Sequence, residues 1–132
     1  MKTLQGRGLV AGKTQGDLIF TNQPIAFLAG VDPDKGVISD PKHELVGQVF
    51  TGKVLAFPYS VGSSVGAYVI YSLSKNHTAP AAIINMNSDI ITVSGCAISG
   101  IPVVDLPDGG FESLRGIKNA SVDASKGTVS IV

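Results

Sequence analysis

The clearest ordering of apolar and polar positions lies between Lys53 and Asn76. Val54 to Phe57 is a short apolar run, the pattern of a buried strand. Pro58 has no N–H to give a sheet ladder and ends it. Gly62 supplies the backbone freedom for a sharp turn, and Ser63 and Ser64 are both N-cap residues by type. Val65, Tyr68, Val69, Ser72 and Leu73 then recur at i, i+3, i+4, i+7 and i+8. That spacing predicts an amphipathic helix from about Ser64, closed by Lys75 and Asn76.

The remaining runs are shorter. Leu4 to Val10 and Asp17 to Thr21 read as two strands joined by a hairpin or bulged turn at Ala11–Gly16. Pro24–Ala29 is a third apolar run, followed by a dense turn signal at Gly30–Gly36 and a loop, expected to be loose, that reaches Glu44. Ala81–Ile84 and Ile101–Val104 read as buried strands, with a polar loop at Asn85–Asp89. Ile90 is expected to open in extended form and Ala97 and Ile98 to form a short helix stopped by Gly100. Ser121–Asp123 and Thr128–Val132 bracket the turn Ala124–Gly127 as a hairpin. Strands at both termini and strand–helix alternation between them predict a compact α/β domain, barrel-like or layered, over residues 1–132.

Composition adds a partner to this picture. Charged residues are 15% of the 132 residues and the formal net charge is +0, with a mean hydropathy of +0.31. So apolar a surface is what a permanent interface needs. The balanced charge argues against nucleic acid as the partner. No run approaches the roughly 20 apolar residues of a membrane span. Gly6 and Arg7 interrupt the first residues too early for a signal peptide, so a cytoplasmic location is expected. A lone cysteine, Cys96, excludes an internal disulfide and a self-contained iron–sulfur or structural zinc site.

Candidate chemistry is sparse. A serine after a glycine turn, at the start of a helix, lies beside free N–H groups and the positive end of the helix dipole. Ser63 or Ser64 is therefore either a simple cap or an activated hydroxyl. Asp40, Lys42, His43 and Glu44 form the most polar cluster of the first half. Asp40 has a structural alternative as the acceptor of an Asx turn, and His43 as a packed or solvated loop histidine; metal binding there is a weak reading. His77 suits the end of the central helix. There is no Ser-His-Asp spacing, phosphate-loop lysine or dinucleotide fingerprint.

Five motifs in order carry a resemblance. They are Ala26–Pro33, Gly36–Asp40 with His43, Gly62-Ser63-Ser64, Ala79–Ile84 and Gly100–Val104. Together they resemble the aconitase X swivel-domain family, whose stand-alone archaeal members are small subunits of two-chain dehydratases. The resemblance implies a swivelling β/β/α domain that docks on a large subunit carrying a [4Fe-4S] cluster. It implies a hydro-lyase reaction, loss of water from (R)-5-phosphomevalonate to trans-anhydromevalonate 5-phosphate in isoprenoid synthesis. It also implies Ser63 as the proton acceptor, supported by Gly62 and Ser64. Classical aconitases follow the Gly-Ser-Ser turn with an arginine that grips a substrate carboxylate; this chain has Val65. The lead-in Tyr59-Ser60-Val61 also lacks a basic residue that many relatives carry. Substrate anchoring is therefore expected from the large subunit. Two alternatives stand beside this one: dehydration of cis-3-hydroxy-L-proline, and a non-catalytic phosphocarrier module with His43 on an exposed tip.

Overall fold

The computed structural model describes residues 2–131. Its strands are β1 (Lys2–Gln5), β2 (Arg7–Val10), β3 (Lys13–Phe20), β4 (Val31–Asp32), β5 (Val37–Ile38), β6 (Val54–Ala56), β7 (Ala82–Asn85), β8 (Val103–Asp105), β9 (Asn119–Asp123) and β10 (Thr128–Ile131). Its helices are α1 (Phe27–Gly30), a single distorted turn, then α2 (Gly66–Lys75) and α3 (Ile90–Ser99). Eight strands pair in the order β1-β10-β9-β3-β6-β7-β8-β2, and β4 and β5 make a separate hairpin. β3, β6, β7 and β8 run parallel, and the other pairings are antiparallel.

β1 and β2 are one chain segment broken at Gly6, yet they lie at opposite ends of that order. The segment pairs first with β10 and then with β8, and so bends the sheet into a nearly closed barrel. Close backbone approach makes the seam possible. A Cβ on Gly8 would lie 1.7 Å from the carbonyl oxygen of Ala124, and one on Gly6 would lie 2.0 Å from that of Asp105. Gly6 N–H donates to the Gly127 carbonyl at 2.7 Å. Arg7 completes the seam with a two-pronged bond to the fully buried Asp105, Nε to Oδ1 at 2.9 Å and a terminal nitrogen to Oδ2 at 2.6 Å. The hydrogen bond and charge of Asp105 raise the pKa of Arg7 above its usual value.

Strand alternation sorts the apolar residues into two cores. Leu18, Val54, Ala56, Ala82, Ile84, Val104, Val122 and Val129 fill the barrel with Phe111 and Leu114. Leu55, Phe57, Ile83 and Val103 face outward and are covered by Phe27, Ile70, Leu73 and Cys96 from the helical layer. The observed α/β domain with barrel-like sheet layers matches the expected architecture.

Several elements differ from the pattern reading. β2 and β3 do not pair with each other as a hairpin; β3 starts at Lys13, and its partners are β9 and β6. The run Pro24–Ala29 is a bridge at Ile25 followed by the α1 turn rather than a strand. Ile90 opens no strand: α3 is helical from its first residue because Asp89 caps it, and Gly100 closes it at φ +71. α2 begins at Gly66, two residues after Ser64, and its buried face is rotated from the predicted one. Gly66, Ile70 and Leu73 are buried, whereas Val65 and Tyr68 are exposed. The segment Gly30–Glu44 is tied down, by Gly36 N–H to the Asp32 carbonyl, by the Thr78 hydroxyl to the Pro33 carbonyl and by the buried Thr21 hydroxyl to Glu44. The hairpin around Ala124–Gly127 forms as expected; its end at Val132 lies outside the described residues.

Gly8→Ala tests the seam. The new methyl group meets backbone rather than a side chain that can move aside, so the substitution is expected to cost about 3 kcal/mol. It should appear as a lower denaturant midpoint at unchanged slope; an unchanged midpoint would mean that the seam tolerates a side chain and is not closed.

Candidate active site

The parallel strands β3, β6 and β7 end at one edge of the barrel, and their exits hold most of the buried polar side chains: Thr21, Ser60, Asn85 and, at the end of β8, Asp105. Ligands of open parallel sheets gather outside such carboxyl ends. After β6 the chain passes through buried Phe57, Pro58 and Ser60 and then rises into an exposed arc, Val61–Val65. Gly62 turns that arc at φ +93, in the region that favours glycine.

Ser63 and Ser64 are both exposed. The Ser63 hydroxyl oxygen accepts the Val65 N–H at 3.1 Å, and the Ser63 carbonyl accepts the Gly66 N–H at 2.9 Å. Ser63 thus closes the tight turn that leads into α2, while the helix itself has no side-chain cap. Among the described residues the Ser63 hydroxyl donates to no acceptor, and the N–H groups of Gly62, Ser63 and Ser64 bond to no protein acceptor. The Ser63 hydroxyl, with a transferable proton, holds one N–H in a turn that also carries three free N–H groups and leads into a helix. Such donors stabilise negative charge on oxygen.

The loop after β7 holds the exit of β6. Asn85, fully buried, donates Nδ2–H to the Phe57 carbonyl at 2.9 Å and accepts the Ser88 hydroxyl at 2.9 Å. The N–H groups of Met86 and Asn87 both donate to the Pro58 carbonyl. Asp89 then takes Ser60. Its Oδ1 accepts the Ser60 N–H at 2.8 Å and its Oδ2 accepts the Ser60 hydroxyl. The same carboxylate caps α3, accepting the Thr92 N–H at 3.1 Å and the Thr92 hydroxyl at 3.0 Å. Partial burial pushes the Asp89 pKa up, but the bonds from Ser60 and Thr92 outweigh it and leave the carboxyl below its usual value. Ser60, Asn85 and Asp89 were not singled out by sequence. Asp89 carried a signal, an acidic N-cap type directly before an apolar run with Thr92 three residues on; Ser60 and Asn85 carried none.

Asp40 and His43 bond within their own loop. Asp40 Oδ1 accepts the Lys42 N–H at 2.9 Å, an Asx turn, and its carbonyl accepts the His43 N–H. His43 is only 8% exposed, and its Nδ1 accepts the Leu45 N–H at 3.0 Å. The exposed tip that a phosphohistidine carrier requires is therefore not where His43 lies. Neither residue hydrogen-bonds to the Gly62–Ser64 turn among the described residues. Among the described residues no donor set fits a metal or cluster. Burial, assisted by the charge of Asp89, pushes the Cys96 thiol up to about 12, and no group of three His, Cys, Asp or Glu residues gathers as ligands among the described residues.

Large apolar side chains are exposed beside the serine turn and along both helices. Tyr59, Val61 and Val65 flank the serine turn in the chain, Leu28 lies in α1, whose backbone approaches Gly66, and Tyr68, Tyr71, Ile90 and Ile98 continue along α2 and α3. Ala67, Tyr68, Tyr71, Ser94 and Ile98 line a groove between the two helices. No helix among the described residues is long and apolar enough to cross a membrane.

The family model of the aconitase X swivel domain matches residues 3–131. A phosphomevalonate dehydratase small subunit of Pyrococcus furiosus is 43% identical over 129 residues, 98% of this chain and 95% of that one. One of Thermococcus onnurineus is 44% identical over 128 residues, 97% of each chain. A solved structure, the holo-form of Thermococcus kodakaraensis aconitase X, is 41% identical and superposes with a TM-score of 0.92 over 100% of this chain and 99% of that one.

The Asp89 carboxylate has a pH signature. Its folded pKa lies below the unfolded value near 3.8, so the stability it contributes is complete above that value and is lost as pH falls through the folded one. Asp89→Asn is expected to cost about 1–2 kcal/mol at neutral pH, allowing for solvent around a half-buried group. Unfolding curves of the two proteins should converge as pH drops below the unfolded value; a gap independent of pH would mean that the charge contributes nothing.

Proposed function

The chain belongs to the aconitase X swivel-domain family, and from that premise we propose that it is the small subunit of a two-chain phosphomevalonate dehydratase, with Ser63 as its proton acceptor. The observation that carries the reading is likeness at 43–44% identity, over nearly the whole length, to chains of that name. The whole chain, 1–132, acts as one swivel domain of a cytoplasmic hydro-lyase. Its product is trans-anhydromevalonate 5-phosphate, an intermediate for isoprenoid synthesis.

Dehydration of (R)-5-phosphomevalonate removes a proton from the carbon beside the carboxylate and hydroxide from the neighbouring tertiary carbon. The C–H electron pair becomes the new double bond. A serine hydroxyl is a poor base, so its alkoxide must be stabilised before it takes that proton. The Val65 N–H on Ser63 Oγ, the free N–H groups of the turn and the start of α2 supply that stabilisation. Gly62 sets the turn and Ser64 contributes its N–H. Asp40 and His43 shape the neighbouring loop. No charged side chain lies between Pro58 and Ser74, so the substrate's carboxylate and phosphate are held by the large subunit. The [4Fe-4S] cluster belongs to that subunit too, because this chain has a single cysteine, the buried Cys96, and such a cluster is held by several.

The large subunit docks on the face that carries the serine. α2 has no charge before Lys75, and α3 has none. A helix apolar all round is buried on more than one side. The sheet covers Ile70 and Leu73, which leaves Val65, Tyr68 and Tyr71, three residues apart on the outer side, for a partner.

Two experiments test the assembly reading. Ser63→Ala, reconstituted anaerobically with the large subunit, is expected to lose several orders of magnitude in turnover of 5-phosphomevalonate with subunit affinity intact. Near-normal turnover would sink the base assignment, and turnover of cis-3-hydroxy-L-proline in its place would change the substrate. Tyr68→Glu, at a side chain 73% exposed, should leave the melting temperature unchanged and weaken subunit association at least tenfold, whereas Thr3→Glu on β1 should not. Equal affinities would place the interface elsewhere.

A further inference from the structure

We propose that the first turn of α3 positions the serine turn, with Asp89 and Ser60 as positioning residues; this rests on the reading of Ser63 as proton acceptor. The arc Val61–Val65 is exposed throughout and is held at its two ends. In front, Val61 N–H donates to the Ile25 carbonyl, and the residue before it, Ser60, is 7% exposed and bound twice by Asp89. Behind, Gly66 is buried so closely that a Cβ on it would lie 3.1 Å from Ile91 Cγ2 and 3.5 Å from Phe27 Cβ. Asp89 and Ile91 are two residues apart. One turn of one helix therefore fixes both ends of the arc that carries Ser63.

The carboxylate is suited to this in a way that no neutral side chain is. Each of its oxygens accepts one backbone N–H and one hydroxyl: Oδ1 from Ser60 N and the Thr92 hydroxyl, Oδ2 from Thr92 N and the Ser60 hydroxyl. An ionised carboxylate has about four acceptor sites and all four are used. An asparagine in either orientation turns its NH2 toward one of the two backbone N–H groups, so it loses either the grip on Ser60 or the cap on α3. Asp89 couples the two: where the first turn of α3 sits decides where Ser60, and with it Ser63, sits. The hydrogen bonds that lower its pKa favour the charged form that makes all four contacts.

Ser60 and Thr92 each give this carboxylate one hydroxyl, but only Ser60 leads into the arc. The test uses that difference, in the reconstituted two-subunit enzyme with 5-phosphomevalonate. Ser60→Ala and Thr92→Val are expected to lower the melting temperature by similar amounts. Ser60→Ala should cut kcat at least tenfold with KM within twofold, since no charged group of the substrate is held by this arc. Thr92→Val should leave kcat within twofold, and Ser60→Thr, which keeps the hydroxyl, should recover most of the Ala loss. Equal kcat effects of the Ala and Val variants, or a Thr variant as impaired as Ala, would reduce Asp89 to a structural cap and overturn the proposal. Ser63→Ala is run beside them. If it is inactive while Ser60→Ala turns over normally, the clamp is wrong and the serine reading stands; if it is active, the reading beneath the clamp is wrong.

Discussion

Val54 and Ala56 face the inside of the barrel and Leu55 faces the helices, so β6 has no wet face. The same holds for β7, where Ala82 and Ile84 point in and Ile83 points out. A strand buried on both sides has no room along its length for an unpaired polar side chain. Chemistry is displaced to the strand ends, where the backbone leaves the ladder and needs new partners. Asn85, Ser88 and Asp89 meet that need for the exit of β6. The arrangement around Ser63 follows from this constraint: a rigid apolar floor, a polar collar, and an exposed arc above both.

The collar also runs to the seam of the barrel. Arg7 on β2 bonds Asp105 on β8, and Asp105 Oδ2 accepts the Ser88 N–H at 3.4 Å. The Ser88 hydroxyl bonds Asn85, which bonds the carbonyl of Phe57 at the end of β6. The contacts that close the barrel are therefore linked, one hydrogen bond at a time, to those that shape the site. Asp105 is fully buried while Arg7 is largely exposed. A buried carboxylate bound by a planar two-pronged donor is costly to orphan, so the seam is held in one register, and the ends of β7 and β8 with it.

The central strand, the glycine turn, the C-terminal hairpin and the Asx turn at Asp40 were legible in the residues because each rests on a local rule: proline ends a ladder, glycine takes a positive φ, a short side chain folds back on its own backbone. The barrel was legible only in outline. Its closure depends on Gly6 and Gly8 meeting the backbone of Asp105 and Ala124, 99 and 116 residues away, and nothing in their neighbours marks such a contact. α2 was read with the wrong face inward because it is apolar nearly all round, so its period alone could not choose between two stripes. Gly66 made the choice by letting the helix settle on Ile91 and Phe27. Ser60 and Asn85 were illegible for a similar reason, since a buried serine or asparagine shows its role only through a partner brought in by the fold.

The exposure of Ser63 bears on why the chain works as a subunit. Donors around an oxygen are worth little in bulk water: two unit charges 4 Å apart interact by about 1 kcal/mol there and by about 4 kcal/mol at the lower effective dielectric near protein. On the isolated chain the serine turn faces solvent, and its free N–H groups are hydrated. On the proposed reading, the large subunit brings substrate and removes that water in one event. Tyr59, Val61 and Val65, apolar and exposed beside the turn in the chain, and Leu28 of α1 then form a rim that a docked surface seals. The valine that stands where classical aconitases carry an arginine fits this division. On the same proposed reading, it gives up a charge that would have to be desolvated on docking and adds apolar area next to Ser63, while the charged ends of the substrate are left to the partner. Proton acceptance and interface formation then make one demand on the sequence, a hydroxyl held firmly in an uncharged rim.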